Sequence, residues 1–478
     1  MRLLATRLTA IASAVKRLFS PASLFRNSEQ GVWYDPSDFS TLFQDSAGTT
    51  PVTAVEQPVG LMLDKSQGLV LGPELVTNGD FSNGSTGWVL DPGWTVSGGV
   101  ASVNTPGAPR YLRQLGKLTV GKTYLVTYTT AVTSGGNFGA GFGWSPQIAN
   151  TTSGTYTARL TAATTDILFY ANSDSIASID NISIKELAGN HAFQATSASR
   201  PVLSARYNLL TATETLSTQS VTTAATTHTL RFTGAGSVTL TGTAIGVYTA
   251  GTYSVTTTAG SLTLTVLGTV TQADLRAANN GITQPDYQRV NSSTDYATAG
   301  FLPYLKFDGV DDSLSTNSIS FTSTDKMSVF AGVRKLSDAA IGAIVGFSSS
   351  PTGNNGAFEI LGPAGAGATD YRWTIRGTAT ATMAPTGFPA PITNVLTGIA
   401  DIGADIGILR INGAQATSSA ADQGTGNFGN YPLYISRRAG TSLPFNGHLY
   451  SLIVRGAQST DSQIVNAENY VNSKTGAF

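Results

Sequence analysis

The sequence contains no cysteine, so neither a disulfide framework nor a thiolate metal site can form, and redox chemistry says nothing about its compartment. Charge is scarce as well: 12% of residues are charged, against roughly 25% in an ordinary globular chain. The net charge is -1. A near-neutral chain without clustered Lys and Arg cannot displace counterions from a phosphate backbone, which argues against nucleic-acid binding. No apolar run approaches the ~20 residues that a membrane span needs. The three histidines, His191, His228 and His448, stand far apart and in no metal-ligand spacing. No G-x-S-x-G elbow surrounds a serine that follows a strand. Heptads and fixed solenoid repeats are missing too, which predicts a compact appendage and not a long, thin shaft.

What is present favours strands. At about 150 residues per domain, 478 residues suggest about three domains. The 52 glycines, with abundant Thr, Ser and Ala, suit short strands and tight turns better than helices. Alternating runs such as Thr123 to Thr129, Val238 to Leu240, Tyr253 to Thr257 and Leu262 to Val266 mark strands with one buried face. Together they predict an all-β protein of several β-sandwich (jelly-roll) domains. The low charge also suits a surface partly covered by neighbours in an assembly.

Two helices are expected. In the first segment, Leu4, Leu8, Ile11, Val15 and Leu18 form an apolar stripe, and Arg2, Arg7, Lys16 and Arg17 supply charge. Pro21 should end that helix. Residues 1–30 read as a docking helix; a membrane-surface helix and a signal peptide cut near Ala12-Ser13-Ala14 are the alternatives. Near the other end, Thr460 and Gln463 form a capping box, Ile464, Ala467 and Val471 share a face, and Gly476 can close the helix.

Several segments resemble known families. Residues 73–187 hold LVTNGDFSNGSTGWVL near their start and SIDNISIKEL at their end. This pattern is similar to the β-sandwich carbohydrate-binding modules of glycan-degrading enzymes. Residues 208–286, rich in Thr and Gly, look like a second, smaller β-domain. The last third runs through YLKFDGVDDSLST, DKMSVFAGVRK, YRWTIRG, ILRINGA, LYISRRAG and FNGHLYSLIVRG. That order resembles the concanavalin A-like lectin/glucanase superfamily, in the laminin G-like form common in phage and prophage structural proteins. The upstream half of the same pattern is scattered: WYDPSDFSTLFQDSAGTTPVT at 33–53, LDKSQG at 63–68 and GNHAFQATSASRP from Gly189. The expectation is one lectin-like domain in three pieces, 31–72, 188–207 and 287–478, with the other two domains inserted into its loops.

Candidate site residues follow. Asp308, Asp311 and Asp312 crowd one turn and offer hard oxygens that could hold Ca²⁺, although turn chemistry alone explains them. The resemblance to carbohydrate modules implies a structural Ca²⁺ near Asp80 and Asp180, where Asn181 stands in place of a frequent second Asp. No cofactor is otherwise required. Sugar faces stack on aromatic platforms, so Trp88, Trp94, Trp144 and Tyr170 in the module, and Trp373 and Tyr434 in the lectin-like domain, are glycan candidates, each weighed against an ordinary place in a core. The glucanase branch uses E-x-D-x-x-E, which is absent; Glu359 stands in AFEIL without a second carboxylate. The reading is therefore a non-enzymatic virion protein on the outside of a bacteriophage. It would dock to other virion proteins through Arg2, Arg7, Lys16 and Arg17 and bind host-surface glycan as a short tail fibre or spike. A head-decoration, head-fibre or collar role is the alternative, and a glycan depolymerase a more distant one. The resemblance implies a homotrimer.

Overall fold

The computed structural model describes residues 19–104, 109–134, 138–143, 148–172, 174–278 and 284–478. The N-terminal helix expected before Phe19, with Arg2, Arg7, Lys16 and Arg17, lies outside the described residues. The rest is all-β, with three short 3-10 turns and one α-helix.

The largest unit is a two-layer sandwich. One layer has eight strands. Its centre is Asn446–Arg455, flanked on one side by Lys326–Lys335. On its other side it pairs with Gly31–Tyr34 along one half and Tyr304–Asp308 along the other. Val202–Ser204 adds to Tyr304–Asp308. The facing layer has nine strands, in which Leu61–Met62, Ala192–Phe193 and Leu314–Ser320 are neighbours. Stretches far apart in sequence thus share both sheets. The inner faces meet in one core, with Val329, Val333 and Leu452 from one layer against Val345, Phe358 and Trp373 from the other. Gly398 lies under the Trp373 ring, where a Cβ would come within 2.9 Å, so only glycine admits the indole. The hairpin between Ile406–Ile411 and Ala414–Ser419 turns on Asn412 and Gly413, with φ of 51° and 76°. This is the left-handed pair that a two-residue hairpin needs.

The central strand is buried on both faces because its outer face is covered. The helix Asp461–Thr475 begins at Thr460, whose side chain accepts from the Gln463 amide in a complete capping box, and ends at Gly476 in the left-handed conformation. Its Ala467 and Val471 pack with Phe330, Ile453 and Trp33. Asp35 then joins this helix to the N-terminal strand: it accepts from Tyr470 (2.9 Å) and pairs with Lys474 (3.2 Å).

A second sandwich has six strands in one sheet and four in the other, around Trp88, Trp94, Tyr128 and Phe169. Leu71–Glu74, at its start, pairs with the end of Ile176–Leu187. A third unit is a five-stranded sheet built on the long strand Thr227–Gly242, with a core of Leu230, Val238, Leu240 and Leu264.

Two buried polar knots sit where the chain leaves the large sandwich and returns. At the first, the fully buried Asp64 carboxylate accepts from the amides of Trp33, Ser66 and Asn190 and from the Ser66 hydroxyl, each at 2.8 Å. The Asp64 amide donates to His191 Nδ1 (3.0 Å). His191 Nε2 therefore carries the proton toward the Leu187 carbonyl (3.2 Å). At the second, Asn208 and Gln288, both fully buried, exchange hydrogen bonds with each other and with Ala205, Ala273 and Leu275. Removing the Asp64 acceptor would orphan buried amides on two other segments. Asp64→Ala is expected to cost about 3–5 kcal/mol in the first unfolding transition, read by denaturant titration. A loss below about 1 kcal/mol would show that the knot is not needed.

Candidate functional site

The sandwiches spend their largest aromatic side chains on packing. Trp373 is 0% exposed and donates to the Ile399 carbonyl. Trp88 is buried against Phe81 and Phe169, and Trp94 against Phe138. These three cannot stack on a sugar. Each sits at an inward position of a strand or turn, where the indole contributes more apolar contact than any other side chain. This corrects the expectation that placed them at a glycan site. Trp144 lies outside the described residues.

Tyr170 is different. In Ile167–Ala171, Phe169 and Ala171 face the core, so alternation turns Tyr170 outward on the four-stranded sheet. Its direct cross-strand partner is Tyr111, outward in Arg110–Gln114 because Leu112 points in. Both rings are half-buried. Beside them Arg113 pairs with Asp91 (2.8 Å), and Asp91 also accepts the Tyr111 amide (3.0 Å). Desolvation raises the Tyr170 hydroxyl above the usual phenol range, so it stays a donor. The result is two adjacent aromatic rings with a charged, hydrogen-bonding rim. Tyr111 was missed in sequence, since only its pairing with Tyr170 marks it.

Tyr434, half-buried, lies outward on the nine-stranded sheet, between its cross-strand partners Ser315 and Gly346. Glu359, next along that row, is buried and tied to Arg438, whose Nε donates at 2.8 Å. All three histidines are buried in structural settings. His191 bridges backbone groups, His228 contacts Thr226 and Thr257, and His448 stacks on Tyr304 with centroids 3.9 Å apart.

Asp308, Asp311 and Asp312 come together, with one carboxylate oxygen or more from each within 4.8 Å of the others. Among the described residues they are the only such group of three. The turn itself occupies part of each: Asp308 Oδ1 accepts the Val310 amide (2.7 Å), Asp312 Oδ2 the Asp308 amide (3.1 Å), and Asp311 Oδ2 the Ser199 hydroxyl (2.7 Å). That leaves about one oxygen per carboxylate for a cation, well short of the roughly 6–8 that Ca²⁺ takes. The protein alone does not make a closed calcium cage here. Among the described residues Asp80 and Asp180 join no group of this kind: Asp80 accepts from Ser82, and Asp180 from the Asn181 amide.

The geometry defines an all-β protein of packed antiparallel sheets. Compared with protein-family models and with curated proteins, the chain matches none. Solved structures do show likeness. The CBM40 module of the Ruminococcus gnavus IT-sialidase, bound to α2,3-sialyllactose, is 16% identical, with a TM-score of 0.26, over 32% of this chain and 95% of that one. The botulinum neurotoxin serotype G binding domain is 10% identical, with a TM-score of 0.29, over 36% of this chain and 44% of that one. The receptor-binding domain of botulinum neurotoxin D is 11% identical, with a TM-score of 0.28, over 39% and 47%.

Burial and the charges of Asp308 and Asp311 push Asp312 up to about 7, against the hydrogen bond from the Asp308 amide and the charge of Lys306. The folded state thus holds a proton that the unfolded chain releases near pH 4. Its stabilising contribution is complete below that pH and is lost as pH rises through 7. Asp312→Asn should therefore raise the melting temperature at pH 8 by roughly 2–4 °C for each kcal/mol relieved, and leave it unchanged at pH 4. Equal melting shifts at both pH values would contradict this reading.

Proposed function

We propose that this protein is a non-enzymatic outer component of a bacteriophage particle that binds host-surface glycan through its second sandwich. The Tyr111–Tyr170 pair carries the glycan part. Tyr111 and Tyr170 are cross-strand partners at outward positions of that sheet, where the apolar face of a pyranose can stack, and Arg113 and Asp91 beside them can read hydroxyls. The virion part rests on the residues that resemble phage structural proteins, from the WYDPSDFS stretch to FNGHLYSLIVRG. The basic first segment supplies the docking end, and other virion proteins are its partners. A non-catalytic role is supported by Glu359, whose carboxylate is committed to Arg438. The scarcity of charge, 12% of residues, favours a second reading as a head-decoration or collar protein.

Purified protein should bind host cells, lipopolysaccharide or members of a glycan array. Tyr170→Ala and Tyr111→Ala should each weaken that binding at least tenfold, a loss of about 1.4 kcal/mol. Absence of binding in all three formats would remove the glycan part. Imaging that places the protein on the capsid or neck would favour the architectural role.

A further inference from the structure

A second recognition site lies where the third unit meets the large sandwich. Between them is a cleft of about 480 Å³, within the roughly 300–1,000 Å³ of small-molecule sites. One wall is the outer face of the eight-stranded sheet, where Lys306 and His448 are cross-strand partners and Tyr304 stacks on His448. The other is the exposed strand Gln219–Thr223, which brings Ser220 and Thr222.

Two cations, Lys306 and Arg206, and one carboxylate, Glu56, line this cleft. Lys306 is exposed and makes no salt bridge among the described residues. Arg206 spends Nε and Nη2 on the carbonyls of Asn208, Leu209 and Leu210, which fixes the guanidinium and leaves Nη1 uncommitted. Glu56 is the one carboxylate in the lining, and its Oε1 already accepts from Ser204 (2.8 Å) and Tyr296 (2.6 Å). Burial, with the nearby charges of Arg334 and Lys306, holds His448 well below the usual histidine range, so it is neutral. A pre-fixed guanidinium and an unpaired ammonium in one concave site favour an anion.

The remaining wall chemistry narrows the class. The strand wall and the loop beside it present the hydroxyls of Ser220, Thr222 and Ser293, which suits a polyhydroxylated ligand. The Tyr304 ring is 2% exposed and already stacked, so it offers no face to a nucleobase. We infer that this cleft binds an acidic sugar, its carboxylate held by Lys306 and Arg206 and its hydroxyls read by Ser220 and Thr222. This site does not depend on the Tyr111–Tyr170 platform.

Titration calorimetry on the full chain tests it, with trigalacturonate, neutral galactotriose and inorganic sulfate as probes. Trigalacturonate should bind at least tenfold tighter than galactotriose or sulfate. Lys306→Glu, at an exposed position, and Thr222→Trp, which fills the cleft from the other wall, should each weaken it at least tenfold with unchanged melting. Tyr170→Ala should leave it intact. Equal affinity for the acidic and neutral trimers, sulfate binding as tightly as the sugar acid, no binding at all, or indifference to both cleft variants would each overturn the proposal.

Discussion

The buried carboxylate of Asp64 is the constraint on which the large sandwich depends. Removing a charge from water is costly, and here the cost outweighs the four donors: burial pushes Asp64 up to about 6. The group is therefore no simple source of stability. What it does is hold three distant stretches at fixed spacing, through the amides of Trp33, Ser66 and Asn190. Trp33 in turn pairs with Ile453 on the central strand. One side chain thus relates the N-terminal strand, the point where the chain departs for the second sandwich, and the point where it returns. The asymmetry of buried hydrogen bonds explains why a costly acceptor is still hard to remove, because its donors would be left with nothing.

The second knot repeats this logic with neutral groups. Asn208 and Gln288 each use both ends of a side-chain amide, so these donors and acceptors balance, while the Gln288 backbone amide donates to the buried Asp274 (2.8 Å). A connection between two packed units must cross a dry region, and its backbone groups need partners there. Side-chain amides supply both signs within one residue. The same stretch carries Arg206, whose guanidinium caps the carbonyls of Asn208 to Leu210. The cation of the cleft is thus positioned by the structural need to close this crossing.

Local chemistry was readable in the sequence where a few adjacent residues determine the outcome. The Thr460–Gln463 capping box is of this kind, as are the alternating runs that became Thr123–Ser134 and Gly260–Leu267. The candidate site was less readable. Tyr170 could be picked by residue type, but Tyr111 acquires meaning only through a pairing across the sheet. Trp88, Trp94 and Trp373 have the composition of a sugar platform and the location of a core, and nothing local separates the two. Glu359 stood without a visible partner because Arg438, in the turn after the strand Asn430–Ile435, lies 79 residues further along the chain. Lys306 and Thr222 share a cleft only because one unit folds back onto another.

Core packing also explains why recognition falls to tyrosine and to cations. A two-layer sandwich needs bulky apolar groups between its sheets, and this chain places Trp88, Trp94 and Trp373 there. The outer faces then carry side chains that tolerate water at one end, and tyrosine does so with a hydroxyl that remains protonated. With few charges in the chain, those on an outer face are mostly consumed in pairs such as Arg113–Asp91 and Arg438–Glu359. An ammonium without such a pair is held by no single carboxylate, and burial of the surrounding walls strengthens its field. Lys306 meets that condition on a wall whose aromatic groups are already engaged with one another, so the selectivity of the cleft must come from charge and hydroxyl geometry and not from stacking.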